Sequence, residues 1–391
     1  MSLNAEHSGA CVLTTELQVD CLVDLIKQPT TPLPVVISTP RIACIADMPS
    51  ECIADVLDHA SRRVRSMVAV SCSPLRKAVS VARKAARWAE GLWCVTSSHV
   101  PGSDLSTEMF DQVKGKWGLL GTVPKLKTGA AGVVVQVATG GTSLLVAGGG
   151  VLRGGSKVAP CSTIVQKFNV SEAKWTQGAP MSVPRAGHAL VQCGEYIYAI
   201  GGVGKKNSLH RSVEVCAIRG GGLWQPSAPM AEPRCMFATA VYEGRIYCIG
   251  GEGKSGPLDS VEVFDPLLGC WESLTNLIHP HSGGCATVLN DANGARIAVV
   301  GGAERFVECY DLGLKVWKEM QALPVSRTQC AAIEMDGALH VIGGITTKTG
   351  RSGESQLMAL GATKLESNTW VPLQNWGKFG ALFPTTLCQF P

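Results

Sequence analysis

The 391-residue chain reads as mainly β: a six-bladed β-propeller over residues 91–391, preceded by a small three-helix module over 41–90 and a flexible lead-in over 1–40. Three observations predict this. Paired glycines close short apolar runs at Gly148-Gly149, Gly201-Gly202, Gly250-Gly251, Gly301-Gly302 and Gly343-Gly344, spaced 53, 49, 51 and 42 residues apart. A tryptophan follows each pair, at Trp175, Trp224, Trp271, Trp317 and Trp370, with Trp117 ahead of the series. Seven residues before a tryptophan, an aromatic side chain is followed at once by Asp or Asn, at Phe110-Asp111, Phe168-Asn169, Phe264-Asp265 and Tyr310-Asp311. Self-similarity at such a period means an array of supersecondary units, each of which buries its apolar faces only against its neighbours.

Composition agrees. Hydrophobic residues make up 46% and charged residues 17%, with 44 glycines, which suits a soluble β protein rich in tight turns and excludes wholesale disorder. A net charge of +4 selects no partner class. The sixteen cysteines are scattered without a CxxC pair, so the sequence points to reduced thiols used for packing, as at Cys94, Cys248 and Cys330. Glu6, Glu16, Asp20 and Asp24 argue against a transit peptide, and no run reaches the roughly 18 apolar residues that span a bilayer. A soluble cytoplasmic or nuclear protein with no membrane contact is the expectation.

The lead-in holds one short helical stretch, Glu16 to Lys27, and then Pro29, Pro32, Pro34 and Pro40. In the next module Ser50 caps a helix that sets Ile53, Val56, Leu57 and Ala60 on one face. A second short helix carries Val64, Met67 and Val68; a third starts at Ser73-Pro74 and aligns Leu75, Val79, Ala82 and Ala86. Arg62, Arg63, Arg65, Arg76, Lys77, Arg83, Lys84 and Arg87 cluster here with no acid among them. Three readings stay open: a solvated face, an acidic protein partner, or nucleic acid, the last disfavoured by the lack of an aromatic platform.

Each propeller unit reads as four strands. GEYIYAIGG, EGRIYCIGG and DGALHVIGG are turns followed by β runs, and the aromatic-Asx strand then leads into the Trp strand. One unit has Cys216-Ala217 in place of the aromatic-Asx pair, and the last has a third strand around Leu357 to Leu360. Leu92 to Ser97 forms the second strand of an N-terminal partial blade in which Thr96 replaces the glycine; the tail, Gly380 to Phe390, supplies its missing first strand and closes the ring.

The repeated double glycine with its downstream aromatic and tryptophan resembles the kelch family over about residues 92 to 391. Met48-Pro49-Ser50-Glu51, Val56-Leu57 and Val70-Ser71-Cys72, placed just before the first strand, resemble the F-box of F-box/kelch proteins, whose members usually open on Leu-Pro where this chain has Met48-Pro49. That resemblance implies a substrate receptor of an SCF-type cullin-RING ubiquitin ligase. Met48, Pro49, Ile53, Val56 and Leu57 would grip a Skp-type linker, itself joined to a cullin, and the propeller would hold an unknown target protein. The alternative is a kelch scaffold with no link to ubiquitin.

Catalysis is not expected. Paired carboxylates and a nucleophile motif are missing, and His279 with His281 makes an incomplete metal set, so no cofactor is called for. Some kelch proteins resemble copper oxidases, but all five tyrosines here fall in repeat strands. Binding is assigned to loops at one end of the ring. Arg185, Arg234 and Arg327 recur at one position ahead of first strands, with His281 in the corresponding loop. They either line a mouth that receives an acidic target or bond to carbonyls of their own loops. A second loop set, after the glycine pairs, carries Lys205, Lys206, Arg211, Lys254, Lys348 and Arg351.

Overall fold

Paired glycines and aromatic-Asx turns break the chain into short antiparallel strands, and these assemble locally because each strand's nearest partner is the next one along the chain. The computed structural model describes residues 92–97, 104–111, 116–127, 129–136, 142–150, 161–169, 172, 174–219, 222–291, 294–335, 338–345, 360–364, 370 and 381–382. All belong to the unit Ala89–Pro391. The expected lead-in and helical module, and with them Met48, Pro49, Ile53, Val56 and Leu57, lie outside the described residues.

The described strands form six sheets of three or four strands and one two-stranded ribbon. Sheet 1 holds β1 (Leu92–Ser97), β2 (Asp104–Asp111) and β3 (Lys116–Lys127). Sheet 2 is β4 (Ala130–Gln136), β5 (Thr142–Gly148), β6 (Val165–Asn169) and β7 (Lys174–Gln177), and sheet 3 is β8 (Ala189–Cys193), β9 (Tyr196–Ile200), β10 (Val213–Ala217) and β11 (Gln225–Ser227). In sheet 4, β12 (Ala238–Tyr242) and β13 (Arg245–Ile249) lead through the ribbon β14 (Glu252–Gly253) and β15 (Gly256–Pro257) to β16 (Val261–Asp265) and β17 (Cys270–Leu274). Sheet 5 is β18 (Cys285–Asp291), β19 (Gly294–Val300), β20 (Val307–Asp311) and β21 (Val316–Glu319); sheet 6 is β22 (Thr328–Met335), β23 (Ala338–Ile345) and β24 (Leu360–Lys364). β24 starts at the residue where the sequence reading placed the end of that strand. The last strand, β25 (Ala381–Leu382), joins sheet 1 by pairing Leu382 with Thr96 and Ala381 with Ser97.

The sheets follow one another in a circle. Inner strands β4, β8, β12, β18 and β22 are neighbours in that order; β22 and β23 adjoin β25 of sheet 1, whose β3 adjoins β5 and β6 of sheet 2. This is the circular order of blades in a β-propeller.

The core lies between the sheets. Side chains alternate faces along a strand, so β9 sends Ile197 and Ala199 to the cluster shared with sheet 2 and Tyr198 and Ile200 to the one shared with sheet 4. Four tryptophans work at such junctions. Trp224, Trp271, Trp317 and Trp370 donate their indole N–H to the carbonyls of Ala179, Ala228, Thr275 and Gln321 in the preceding unit, at 2.8–3.0 Å. The first glycine of a pair is where blades touch most closely. Gly201 has φ +60°, and a Cβ there would lie 2.6 Å from the Arg234 carbonyl oxygen of the next unit; at Gly250 the corresponding distance to the His281 oxygen is 2.5 Å. Only glycine meets both the left-handed backbone and the close approach.

Candidate interaction surface

The repeated arginines are internal. Arg185 is fully buried; its Nη1 donates to the carbonyls of Gly201 and Ser212, both at 2.8 Å, and its Nη2 to Ser212 Oγ at 3.0 Å and Glu214 Oε1 at 3.1 Å. Arg234 repeats the set with Gly250 (2.8 Å), Ser260 O (2.9 Å), Ser260 Oγ (3.1 Å) and Glu262 Oε1 (2.8 Å). Each carboxylate also takes two amides of the crossing loop ahead of its partner arginine: Glu214 from Ser182 and Val183, Glu262 from Ala231 and Glu232. The main chain points the other way. The carbonyls of Arg185, Arg234 and Arg327 accept the N–H of Gly149, Gly202 and Gly302 in the preceding unit, at 2.7–2.8 Å. Arg185 and Arg234 thus each fasten their own blade with the side chain and the blade before it with the backbone. Burial lowers the pKa of Arg185, with Glu214 opposing the shift; burial also lowers that of Arg327.

His281 fills the same position in sheet 5. Its Nδ1 lies 2.6 Å from the Gly301 carbonyl and its Nε2 3.2 Å from Glu308 Oε1, and Glu308 accepts the amides of Ile278 and His279, both at 2.8 Å. Where the arginine blades have Ser212 or Ser260 just ahead of the third strand, this blade has Phe306, edge-on to His281 at 6.4 Å between ring centroids. Burial pushes the Glu308 carboxyl up, but the hydrogen bonds from His281 and the two amides outweigh it and hold the pKa below the usual carboxylate range.

A target-binding mouth built from Arg185, Arg234, His281 and Arg327 is therefore corrected. All four side chains are at most 2% exposed, so none reaches a partner; a buried charge persists only when paired inside the protein. The glutamates of these joints went unread in the sequence. The signal was present: Glu214, Glu262 and Glu308 recur at the second position of the third strand, where sheet 2 has the buried Gln166. His279 and His281 also part company, since His279 stacks on Phe306 at 3.8 Å and bonds to Glu319. Among the described residues no group of three or more His, Cys, Asp or Glu is placed to hold a metal ion.

The other loop set carries exposed cations. The strand order brings the loops after the glycine pairs and the crossing loops to one face, where Ala186 bridges Val203 and Cys235 bridges Glu252. From that face project Lys205, Lys206 and Arg211, with Lys254 at the turn of the β14–β15 ribbon; Lys348 and Arg351 lie outside the described residues. Lys205–Asn207 makes one turn of 3-10 helix in which Lys206 and Asn207 have φ +55° and +56°. Such backbone costs of order 1–3 kcal/mol per residue and persists only where its surroundings enforce it. Here the Gly204 N–H bonds to Ser208 O (2.9 Å), and the Ser208 N–H and Oγ bond to Lys205 O (3.2 and 3.0 Å).

Comparison with known proteins agrees with this architecture. The Kelch motif family matches residues 184–215 and 233–278. The chain is 24% identical over 184 residues to Kelch-like protein 23 of Homo sapiens, covering 47% of this chain and 32% of that protein. It is 26% identical over 244 residues to Kelch-like protein 38 of Rattus norvegicus, covering 60% of this chain and 31% of that one. The matches span about a third of the length of these relatives. The solved structure of YjhT superimposes with a TM-score of 0.57 at 16% identity, over 73% of this chain and 97% of that one, a likeness of fold. The chain thus carries kelch repeats and is related to kelch-like proteins. Among the described residues no helix is long and apolar enough to cross a membrane.

Proposed function

We propose that this chain is a non-catalytic protein-interaction module whose loop face receives an acidic segment of a target protein. The observation that carries the reading is the loop Gly201–Ser212. It holds Lys205, Lys206 and Arg211 in solvent, with no acid in the segment, on a backbone that two successive left-handed residues and three hydrogen bonds keep in one shape. A rigid loop loses little conformational freedom on binding, and clustered cations speed encounter with a partner of opposite charge. The internal salt bridges contribute by fixing the blades from which the loops spring.

The finer reading is that residues 41–90 attach this module to a Skp-type linker and a cullin, making it the substrate receptor of an SCF-type ubiquitin ligase. Its support is the Met48-Pro49-Ser50-Glu51 start and the apolar stripe of Ile53, Val56 and Leu57 just ahead of the first strand. Affinity capture of the full chain with protein identification tests both readings. Co-purification of a Skp-type linker and a cullin, lost in Val56→Asp/Leu57→Asp, supports the ligase assignment. Capture of a target without them leaves a kelch scaffold, and failure to retain any protein contradicts the interaction reading as a whole.

A further inference from the structure

At the junction of sheets 5 and 6 two thiols face each other. Cys285 opens β18 and Cys330 lies in β22; both are free and fully buried, and their sulfurs are 3.3 Å apart. The repeat explains the contact. The positions matching Cys285 and Cys330 hold Ala131 and His188 at the junction of sheets 2 and 3, and Ala189 and Phe237 at that of sheets 3 and 4. Those junctions pair a ring with an alanine, and the junction of sheets 4 and 5 pairs Gly284 with Ala238. Here both positions are cysteines.

We propose that Cys285 and Cys330 are a peroxide-oxidisable thiol pair that closes to a disulfide joining neighbouring blades. The sulfurs need approach by only about 1.2 Å to reach the ~2.05 Å of an S–S bond. The two thiols are unequal. The hydrogen bond from Cys285 and the charge of Arg327 hold Cys330 below the ordinary thiol range against the effect of burial, while burial pushes Cys285 well above it. Either thiol can be oxidised first; with Cys330 as the nucleophile, Cys285 resolves. The Cys330 thiolate attacks one peroxide oxygen and the O–O bond breaks; the departing hydroxide takes a proton to become water, leaving a sulfenic acid. Cys285 sulfur then attacks the Cys330 sulfur. The S–O bond breaks, and the hydroxyl leaves as a second water with the Cys285 proton. Two thiols and one hydrogen peroxide give one disulfide and two waters, the peroxide oxygens being reduced as the sulfurs are oxidised.

The test treats the folded full chain with hydrogen peroxide, blocks remaining thiols by alkylation in denaturant, and maps peptides by mass spectrometry without reduction. A Cys285–Cys330 cross-link that dithiothreitol reverses, together with a melting temperature several degrees higher in the oxidised form, is the expected result. Cys285→Ala restores the residue type of the other junctions and should give no cross-link at Cys330 and no rise in melting temperature. The proposal is overturned if both cysteines are recovered alkylated while the exposed Cys270 is oxidised, or if Cys330 is found joined to another cysteine.

Discussion

Arg234 and Glu262 meet at 2.8 Å with both side chains out of solvent, and the same carboxylate accepts the amides of Ala231 and Glu232 in the loop that brings Arg234 to it. The pair therefore acts as a clasp on the crossing loop. Arg185 with Glu214 and His281 with Glu308 repeat it in the sheets on either side.

Removing one partner leaves a buried charge without its counterion. Arg234→Met should lower stability by about 3–5 kcal/mol in urea unfolding, and Glu262→Gln should also destabilise. Arg234→Met/Glu262→Met should cost less than the sum of the two methionine substitutions, by roughly 0.5–3 kcal/mol. Additive losses would show that the clasp is not a unit.

His188 gives a pH signature. Burial, with Arg185 and His210 nearby, lowers its pKa to about 3, and neither ring nitrogen has a hydrogen-bond partner. The unfolded chain titrates this group near 6.5. Between those values the unfolded state binds the extra proton, so stability is complete above about pH 6.5 and falls as the pH drops toward 3. Glu308 adds a loss of the same sign at lower pH, through the range between its ordinary value and its depressed folded one. His188→Phe, the residue that sheet 4 has at this position in Phe237, should raise stability at neutral pH by about 1–3 kcal/mol and flatten the upper part of the acid limb. An unchanged profile would contradict the buried neutral imidazole.

Phe306 stands where the arginine blades have Ser212 and Ser260, edge-on to His281. His281→Arg alone forces a guanidinium against the ring and should destabilise, whereas His281→Arg/Phe306→Ser recreates the Arg234–Ser260 arrangement and should recover most of the loss. Equal damage in the single and double variants, by thermal melting, would show that Phe306 does not decide the choice.

β25 covers the edge of β1 through Thr96–Leu382 and Ser97–Ala381. Deleting residues 380–391 should uncover that edge, lower the melting temperature and give concentration-dependent aggregation by light scattering. Unaltered melting and a monodisperse solution would mean that the pairing contributes nothing to closure.

The strands were largely legible because glycine pairs and aromatic-Asx turns are local signals. Val261–Asp265 with Cys270–Leu274 could be read from Phe264, Asp265 and Trp271 alone. The arginines misled for a physical reason. A cation repeated at a loop position looks the same in sequence whether it faces solvent or a carboxylate, and Glu262, the partner of Arg234, lies 28 residues away in a strand. Reading Arg185 with Glu214, Arg234 with Glu262 and His281 with Glu308 as paired repeats would have placed all three inside. The cations of the loop Gly201–Ser212 were visible as residue types, but the left-handed backbone that fixes them depends on contacts with Ser208 that no local pattern announces.

On the proposed division of roles, binding resides in the exposed lysines and folding in the buried arginines. An array of immobilised peptides of graded acidity, probed with the full chain and with Lys205→Glu/Lys206→Glu at two salt concentrations, tests it most directly. The wild-type chain should bind acidic peptides more weakly at higher salt, and the double reversal should lose at least tenfold in apparent affinity with its melting temperature unchanged. Equal retention of acidic peptides by both proteins would contradict the account.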